Sequence, residues 1–480
     1  MRSPRTIVTG ILVILVGIEA VSLIEQILAP DVTAREFSLQ VVLSTIYQFL
    51  VPLSPVLVLL ILYFWVGRLI LRLLSGNDLS NSIYIRFRSV SRFFERLPVS
   101  WDGQNVPLLG SPLAVLLVGM ASACILAIMP YRPDVNPAGI PVGADTSAYI
   151  FWVNQMLQKS IPDGLVYAFR QASNGDRPLS LIIPYVMSGV FGIQSDATVK
   201  FYPLFLGPLL VVSTFLFVLL GFGDKHTAGL VGLMTAFSFQ LTVGMWAGYY
   251  ANWLALAESF LLMGFLLRWI SLRSKRDFIC TVSLSIVVLF THPWTWDFML
   301  LLSTSFMIER IVASHDFKLM RAAILFVAIG IAADSVKSFV VGGYGGGRAA
   351  VDIATTSIGL PQLVAFWPNV VATFVQYYSM LLADSVILGL AAIAMWRFSS
   401  SRHDFARLVV LWVAMASLPF PFLGSLLQSR IIYLLPIPLL STGAVLGLQR
   451  LGQGRTQQAL ILLVILLFSA NHALNSMFQL

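Results

Sequence analysis

The sequence predicts an all-α polytopic membrane protein with about 13 transmembrane helices. Three observations predict it. Hydrophobic residues make up 58% of the 480 positions and charged residues 11%, whereas about a quarter of a soluble domain is charged. Apolar runs of roughly 20 residues, the length that crosses a bilayer, recur along the chain. Lys and Arg are also distributed unevenly between alternate connecting segments. A β-barrel would need short segments of alternating polarity instead.

The expected spans are roughly 7–29, 39–70, 111–130, 196–220, 226–246, 250–271, 278–293, 295–312, 320–340, 369–396, 405–422, 429–448 and 457–476. The run from Ile7 is long and has no obvious small-residue cleavage site, so it reads as a retained helix rather than a signal peptide. The apolar stretch 179–192 is too short to span and reads as re-entrant or surface-lying. With the N-terminus in the cytoplasm, cytoplasmic segments hold 21 Lys and Arg and outer segments 9. That bias is what the positive-inside rule requires of a multi-pass protein of the cell membrane. The net charge of +8 then reflects orientation and contact with anionic membrane lipids. No basic, aromatic-interleaved patch points to nucleic acid. Arg86, Arg88, Arg92 and Arg96 alternate with Phe87, Phe93 and Phe94, as in an amphipathic helix on the inner leaflet. Cys124 and Cys280 lie in apolar runs, as free thiols would, and two cysteines are too few for a cysteine metal site. No internal repeat is visible, which weighs against repeat-built transporters.

These features divide the chain into 1–110, two helices and the amphipathic segment; 111–340, a core carrying the outer loop 131–178; 341–368, a flexible Gly-rich outer loop; and 369–480, the C-terminal helices. The 131–178 loop is polar and rich in Pro and Gly, with Gly143-Ala144-Asp145-Thr146 and Gly175-Asp176-Arg177-Pro178. Apolar residues at 148, 150, 151, 153 and 156 make Thr146–Leu157 an amphipathic helix, with Asp145 or Thr146 near its N-cap. Asp145 is then either a simple cap or an acid presented for chemistry. Asp176 and Arg177 form either a salt-bridged turn or an anion site; a guanidinium offers paired donors in a fixed fork.

Further candidates sit at other outer turns. Asn252 and Trp253 end the Trp246–Trp253 tract. Glu258 is an acid within a span, a functional candidate by default, with a structural partnership as the alternative. His292 lies in Thr291-His292-Pro293-Trp294-Thr295-Trp296-Asp297, where Asp297 either orients it or substitutes for a missing acid. Arg430 and Tyr433 begin a late span, and Gly342–Arg348 reads as a mobile covering loop or a plain linker.

The order of these features resembles the integral-membrane glycosyltransferases of the class C fold, which include aminoarabinose, protein O-mannosyl and oligosaccharyl transferases. The resemblance covers roughly 111–320, with an echo at 428–445. It implies an essential catalytic acid early in the first outer loop, matched by Asp145, as general base toward the acceptor or to orient the acceptor nucleophile, with Asp176 as a second catalytic carboxylate and Tyr149 nearby. It implies an acidic–basic–Pro tract, matched by Asp176 and Arg177, with Arg177 on the donor phosphate. Asn252 departs from the resemblance by standing where the family has a carboxylate; a divalent cation, Mg or Mn, is therefore left open and no metal ligand is assigned. His292 falls where the family often has Lys, and Arg430 and Tyr433 match its Arg-Tyr tract. The implied activity is inverting transfer of a sugar from a polyprenyl-phosphate donor to an acceptor (protein, lipid or glycan) outside the cytoplasm. A transporter or lipid flippase using Glu19, Glu258, Asp334 and Asp384, and a non-catalytic assembly partner of the same fold, are the rival expectations.

Overall fold

The computed structural model describes residues 4–28, 45–46, 49–75, 81–97, 99–101, 110–356, 358–378, 385–399, 401 and 403–478. Among these the architecture is helical throughout, with only an isolated bridge between Ile358 and Leu423. The helices are α1 (Pro4–Leu28), α2 (Ser54–Ser75), α3 (Asn81–Arg96), α4 (Pro112–Ile128), α5 (Thr146–Leu157), α6 (Ile161–Arg170), α7 (Pro178–Phe191), α8 (Ser195–Lys200), α9 (Pro203–Gly221), α10 (Lys225–Ala236), α11 (Phe239–Ala247) and α12 (Tyr250–Leu272). They continue as α13 (Lys275–Thr291), α14 (Pro293–Ser314), α15 (Phe317–Ser335), α16 (Gly346–Thr356), α17 (Leu360–Val364), α18 (Phe366–Ala372), α19 (Ser385–Phe398), α20 (Asp404–Ser417), α21 (Ser425–Tyr433), α22 (Ile437–Gln449) and α23 (Arg455–Phe478).

Nine helical segments among the described residues are long and apolar enough to cross a membrane, or ten if the bent pair α21–α22 forms one span. The protein is therefore an all-α, multi-pass membrane protein, but the expected 13 spans do not stand. Helix α13 has 17 residues, short of the roughly 20 that cross a bilayer. Helix α14 carries Thr295, Asp297, Glu309 and Arg310. Within the stretch expected at 369–396 the described residues form α18, a π-helical turn over Thr373–Tyr377 and the 14-residue α19. Helices α21 and α22 bend by 51° across Leu434–Pro436. An apolar run read from sequence cannot distinguish a straight rod from two short ones.

The core is a bundle in which α9 packs on α12, α10 and α4, and α12 on α13. Small residues permit the close approach. A Cβ on Gly264 of α12 would sit 3.1 Å from the Phe217 Cα of α9, and one on Gly119 of α4 would sit 3.1 Å from the Leu233 Cα of α10. The first helix packs on the last, α1 on α23, where Asn471 donates to the Glu19 carboxylate at 2.6 Å. Helix α2 packs on α19, so the N-terminal and C-terminal helices share one flank.

Turn chemistry fixes the hairpins at one end. Arg273 and His315 close α12 and α14 with left-handed φ of 56° and 51°. Immediately after them, Ser274 and Asp316 accept backbone N–H groups of the next helix. An Arg273–Asp316 ion pair at 2.7 Å joins the two turns. Every salt bridge among the described residues joins segments assigned to the same side by the charge bias. Arg68–Glu95, Arg268–Asp277, Arg310–Asp404 and Arg407–Glu309 gather at this end; Arg132–Asp134, Asp176–Arg177 and Lys200–Asp196 gather at the other. The amphipathic segment forms α3, and it is docked rather than lying free. Phe94 meets Phe64 and Trp396 at 4.9 and 5.5 Å, while Phe93 stays exposed.

Gly264→Leu is expected to destabilise the bundle by about 1–3 kcal/mol through overpacking against α9. Gly389→Ala, which meets nothing within 4 Å inside α19, is expected to raise stability by about 0.5–1 kcal/mol. Thermal unfolding of both variants in one detergent checks this.

Candidate functional site

The polar loop is seated by its backbone on the break between α11 and α12. The Ala144 N–H donates to the Trp246 carbonyl at 3.0 Å and the Asp145 N–H to that of Ala247 at 3.2 Å. Two glycines with left-handed φ make this approach possible: Gly143 at 107° and Gly248 at 66°. A Cβ on Gly143 would lie 2.5 Å from the Met245 carbonyl, and one on Gly248 would lie 2.9 Å from the Asp145 nitrogen. Side chains complete the seating. The Thr146 and Tyr250 hydroxyls are 2.9 Å apart, and the Ala251 N–H donates to the Tyr149 hydroxyl at 3.0 Å.

Asp145 occupies the N-cap position of α5 but does not cap it. Its own backbone is already helical, at φ −89° and ψ −5°, and its side chain makes no cap hydrogen bond. Among the described residues the carboxylate has neither a hydrogen-bond nor an ion-pair partner. Burial pushes its pKa up, and nearby Asp176 adds to this, while Arg177 and Arg430 pull it down. Asp145 is therefore a half-buried acid that the fold does not use.

The Asp176–Arg177 turn is a paired unit. Arg177 Nε lies 2.9 Å from Asp176 Oδ1, and Nη2 lies 2.9 Å from Oδ2. This is the salt-bridged turn foreseen as the alternative, though both side chains are largely buried. Burial works against the Arg177 charge, but Tyr149 and Asp176 outweigh it and hold the guanidinium well above its ordinary pKa. The fork that was expected to face a donor phosphate is closed along its Nε–Nη2 edge by Asp176. Only Nη1 remains, contacting the Tyr149 hydroxyl at 3.4 Å. The preceding turn is strained. Ser173, Asn174 and Gly175 all have positive φ, at 46°, 57° and 72°, a conformation uncommon for the two non-glycine residues.

His292 sits in the turn between α13 and α14, 3% exposed. Its Nδ1 accepts the Thr295 N–H at 3.3 Å and lies 2.9 Å from the Thr295 hydroxyl. In the neutral ring this places the proton on Nε2, which has no partner among the described residues. Burial, then Arg430, Arg177 and Lys337, depress the pKa well below the ordinary histidine value. Arg430, on α21, lies over the Trp294 ring at 5.4 Å, and its Nε is buried without a hydrogen-bond partner. A cation–π contact is worth about 0.5–2 kcal/mol and leaves the guanidinium donors unspent. Asp176, Arg177, His292, Trp294, Tyr344 and Arg430 line a cavity of about 290 Å³. Asp145 is not in its wall; it is tied to Arg177 and Arg430 only through electrostatic coupling.

The remaining candidates lie outside this cavity. Asn252 is buried in the first turn of α12 without a hydrogen-bond partner among the described residues. Trp253 is fully buried against Gly244, and Tyr433 donates to the Gln240 carbonyl at 2.8 Å; both serve to pack and hold α11. Glu258 accepts from the Thr291 hydroxyl at 2.9 Å, a structural partnership between α12 and α13, with its second oxygen unpaired. Asp297 does not orient His292, because Thr295 does. One Asp297 oxygen faces Gly346, where a Cβ would come within 2.5 Å, and the other is buried without a partner. Asp334 accepts the Gly346 and Gly347 N–H groups at 2.6 and 3.0 Å. The glycine run therefore has a second physical reason: it lets backbone close over Asp334, Asp297 and Trp296. Asp384 lies outside the described residues.

Lys337 was counted by the charge bias but not proposed for the site. It is fully buried and donates to the Asp176 and Leu289 carbonyls at 3.0 and 2.8 Å. A lysine within a span is a signal that could have found it. Among the described residues no group of three or more His, Cys, Asp and Glu is arranged to hold a metal. The two carboxylates described in the cavity wall are both engaged, Asp176 with Arg177 and Asp352 with the Tyr344 hydroxyl at 2.6 Å. No protein-family model and no curated protein matches the chain.

Because the pKa of Asp145 is raised on folding, its ionised form costs stability above about pH 4, the unfolded value. Below that value both states are protonated and the cost vanishes. Asp145→Asn is accordingly expected to raise the unfolding temperature at pH 7, with the gap closing toward pH 3. Melting curves across that range check it.

Proposed function

We propose that the chain is a membrane glycosyltransferase that moves a sugar from a polyprenyl-phosphate-linked donor to an acceptor hydroxyl or amide, with inversion. The observation that supports it most is a free, half-buried carboxylate, Asp145, electrostatically coupled to two guanidiniums at the end of the molecule assigned to the outside. In the proposed reaction the acceptor attacks the anomeric carbon, its proton passes to Asp145, and the bond from that carbon to the donor phosphate oxygen breaks. The leaving phosphate keeps the electron pair. Arg430, the Nε2 proton of His292 and the open Nη1 of Arg177 receive the developing charge in a site where water is scarce and such donors count most. This divides the work differently from the sequence expectation, with Arg430 and His292 ahead of Arg177. The active site is extracytoplasmic on the charge bias, where nucleotide sugars are absent and an activated sugar must arrive on a lipid.

Transport is less well supported. Glu19, Glu258 and Asp334 each have a local structural partner in Asn471, Thr291 and the Gly346–Gly347 backbone. The non-catalytic reading keeps one specific support, the neutral Asn252 where the resemblance calls for an acid.

Purified protein in liposomes is expected to transfer labelled sugar from a polyprenyl-phosphate donor. Asp145→Asn is expected to lower the rate by roughly 10²–10⁴-fold, and Arg430→Gln by roughly 10²–10³-fold. Undiminished transfer by Asp145→Asn would remove the catalytic assignment; vectorial solute movement without transfer would favour a transporter.

A further inference from the structure

Tyr249 stands where the seam beneath Asp145 meets α21. It is buried and directly follows Gly248, the glycine against which the Asp145 backbone closes. Its own main chain is tied to both helices of the break. The Tyr249 N–H donates to the Gly244 carbonyl at 3.1 Å, and the Tyr249 carbonyl accepts the Trp253 N–H at 2.7 Å. The start of its side chain is therefore fixed relative to Asp145.

The far end of that side chain reaches the helix that carries Arg430. The Tyr249 hydroxyl lies 3.4 Å from Ser429 Oγ, and its ring meets the Tyr433 ring edge-on at 5.7 Å. Ser429 and Tyr433 are four residues apart on α21 and so share one face, with Arg430 between them in sequence. The Ser429 hydroxyl donates its proton to the Leu426 carbonyl at 2.7 Å, which makes Tyr249 the donor in its contact with Ser429. The Ser429 carbonyl in turn accepts from the Tyr378 hydroxyl at 2.7 Å. Two tyrosines thus pin α21 one residue before Arg430, and Tyr249 is the pin that runs back to the seam.

The electrostatics follow the same line. Arg430, Tyr377 and Asp145, from three separate segments, all act on Tyr249. Burial raises the pKa of its hydroxyl, so Tyr249 stays neutral wherever Asp145 titrates. The charged groups acting on Asp145 itself are Arg177, Arg430 and Asp176.

We propose that Tyr249 is a positioning residue that holds Arg430 within electrostatic reach of Asp145, spacing the acid that takes the acceptor proton from the cation that receives the leaving phosphate. This role rests on the proposed transfer reaction, but the spacing itself can be measured without it. Arg430 pulls the Asp145 pKa down, so an Arg430 that drifts away lets that pKa rise.

The test has two arms. Tyr249→Phe keeps the ring against Tyr433 and removes only the hydroxyl. In melting curves at pH 7, the stabilisation produced by Asp145→Asn is expected to be larger in a Tyr249→Phe background than in the wild-type chain. It is expected to be no larger in Tyr249→Phe/Arg430→Gln than in Arg430→Gln alone, since the two act through one contact. In liposomes with a labelled polyprenyl-phosphate sugar, Tyr249→Phe is expected to slow transfer by about 10–100-fold, the cost of a small misplacement. The acid limb of its rate–pH profile is expected to move up by roughly 0.5–1 pH unit, a fraction of what an adjacent opposite charge is worth. Ser429→Ala removes the partner of the hydroxyl and is expected to move both readouts the same way; it serves if Tyr249→Phe fails to fold. A slower rate with an unmoved acid limb would make Tyr249 a packing residue only and overturn the proposal. An unchanged Asp145→Asn stabilisation, or effects that add in the double variant, would overturn it as well. The larger stabilisation in a chain that transfers no sugar would uphold the spacing and remove the transfer reaction instead.

Discussion

The structure depends on one close approach, between backbone 143–145 and the helix break at 245–248. Two backbone hydrogen bonds, at 3.0 and 3.2 Å, cross it, each worth about 1 kcal/mol net. They form only because Gly143 and Gly248 lack side chains and take left-handed φ. The seam fixes where Asp145 stands, and α5 starts from it. The Tyr149 hydroxyl then carries the order inward, because it accepts from the Ala251 N–H and from Arg177 Nη1 together. A polar loop and a buried turn of α12 thereby become one rigid piece.

The charges around that piece are not equally committed. Arg177 is closed along one edge by Asp176, and Lys337 is spent on two carbonyls. Both help hold the strained turn at 173–175 in place through Asp176. Arg430 has a ring beneath it and an unpaired Nε, and Asp145 has no partner among the described residues. Leaving a cation and an acid under-satisfied in a partly dry setting costs free energy. That cost is the physical reason to look there for chemistry.

Legibility in the sequence was uneven. Asp176, Arg177, His292 and Arg430 are each legible from local chemistry and line one cavity, while Asp145 stands outside its wall and is coupled to Asp176, Arg177 and Arg430. Asn252, Trp253, Glu258, Asp297 and Tyr433 were singled out on similar grounds, but they lie outside the cavity. The difference is rotational. A helix advances about 100° per residue, so neighbours in sequence point in different directions, and only packing says which face looks into the cavity. Lys337 was missed because its partners are carbonyls from residues 176 and 289, far away in sequence.

Composition and the recurring apolar runs determined the membrane and the helical class. Burial in lipid obliges backbone groups to bond within helices, and the asymmetry of Lys and Arg follows the polarity of the two surfaces. Tertiary structure alone decided the span count among the described residues, for example through the bend at 434–436, which hydrophobicity does not record. It also decided that Asp176 and Arg177 pair with each other instead of presenting an open guanidinium fork. That depends on a side-chain contact of 2.9 Å, a length over which sequence carries no information.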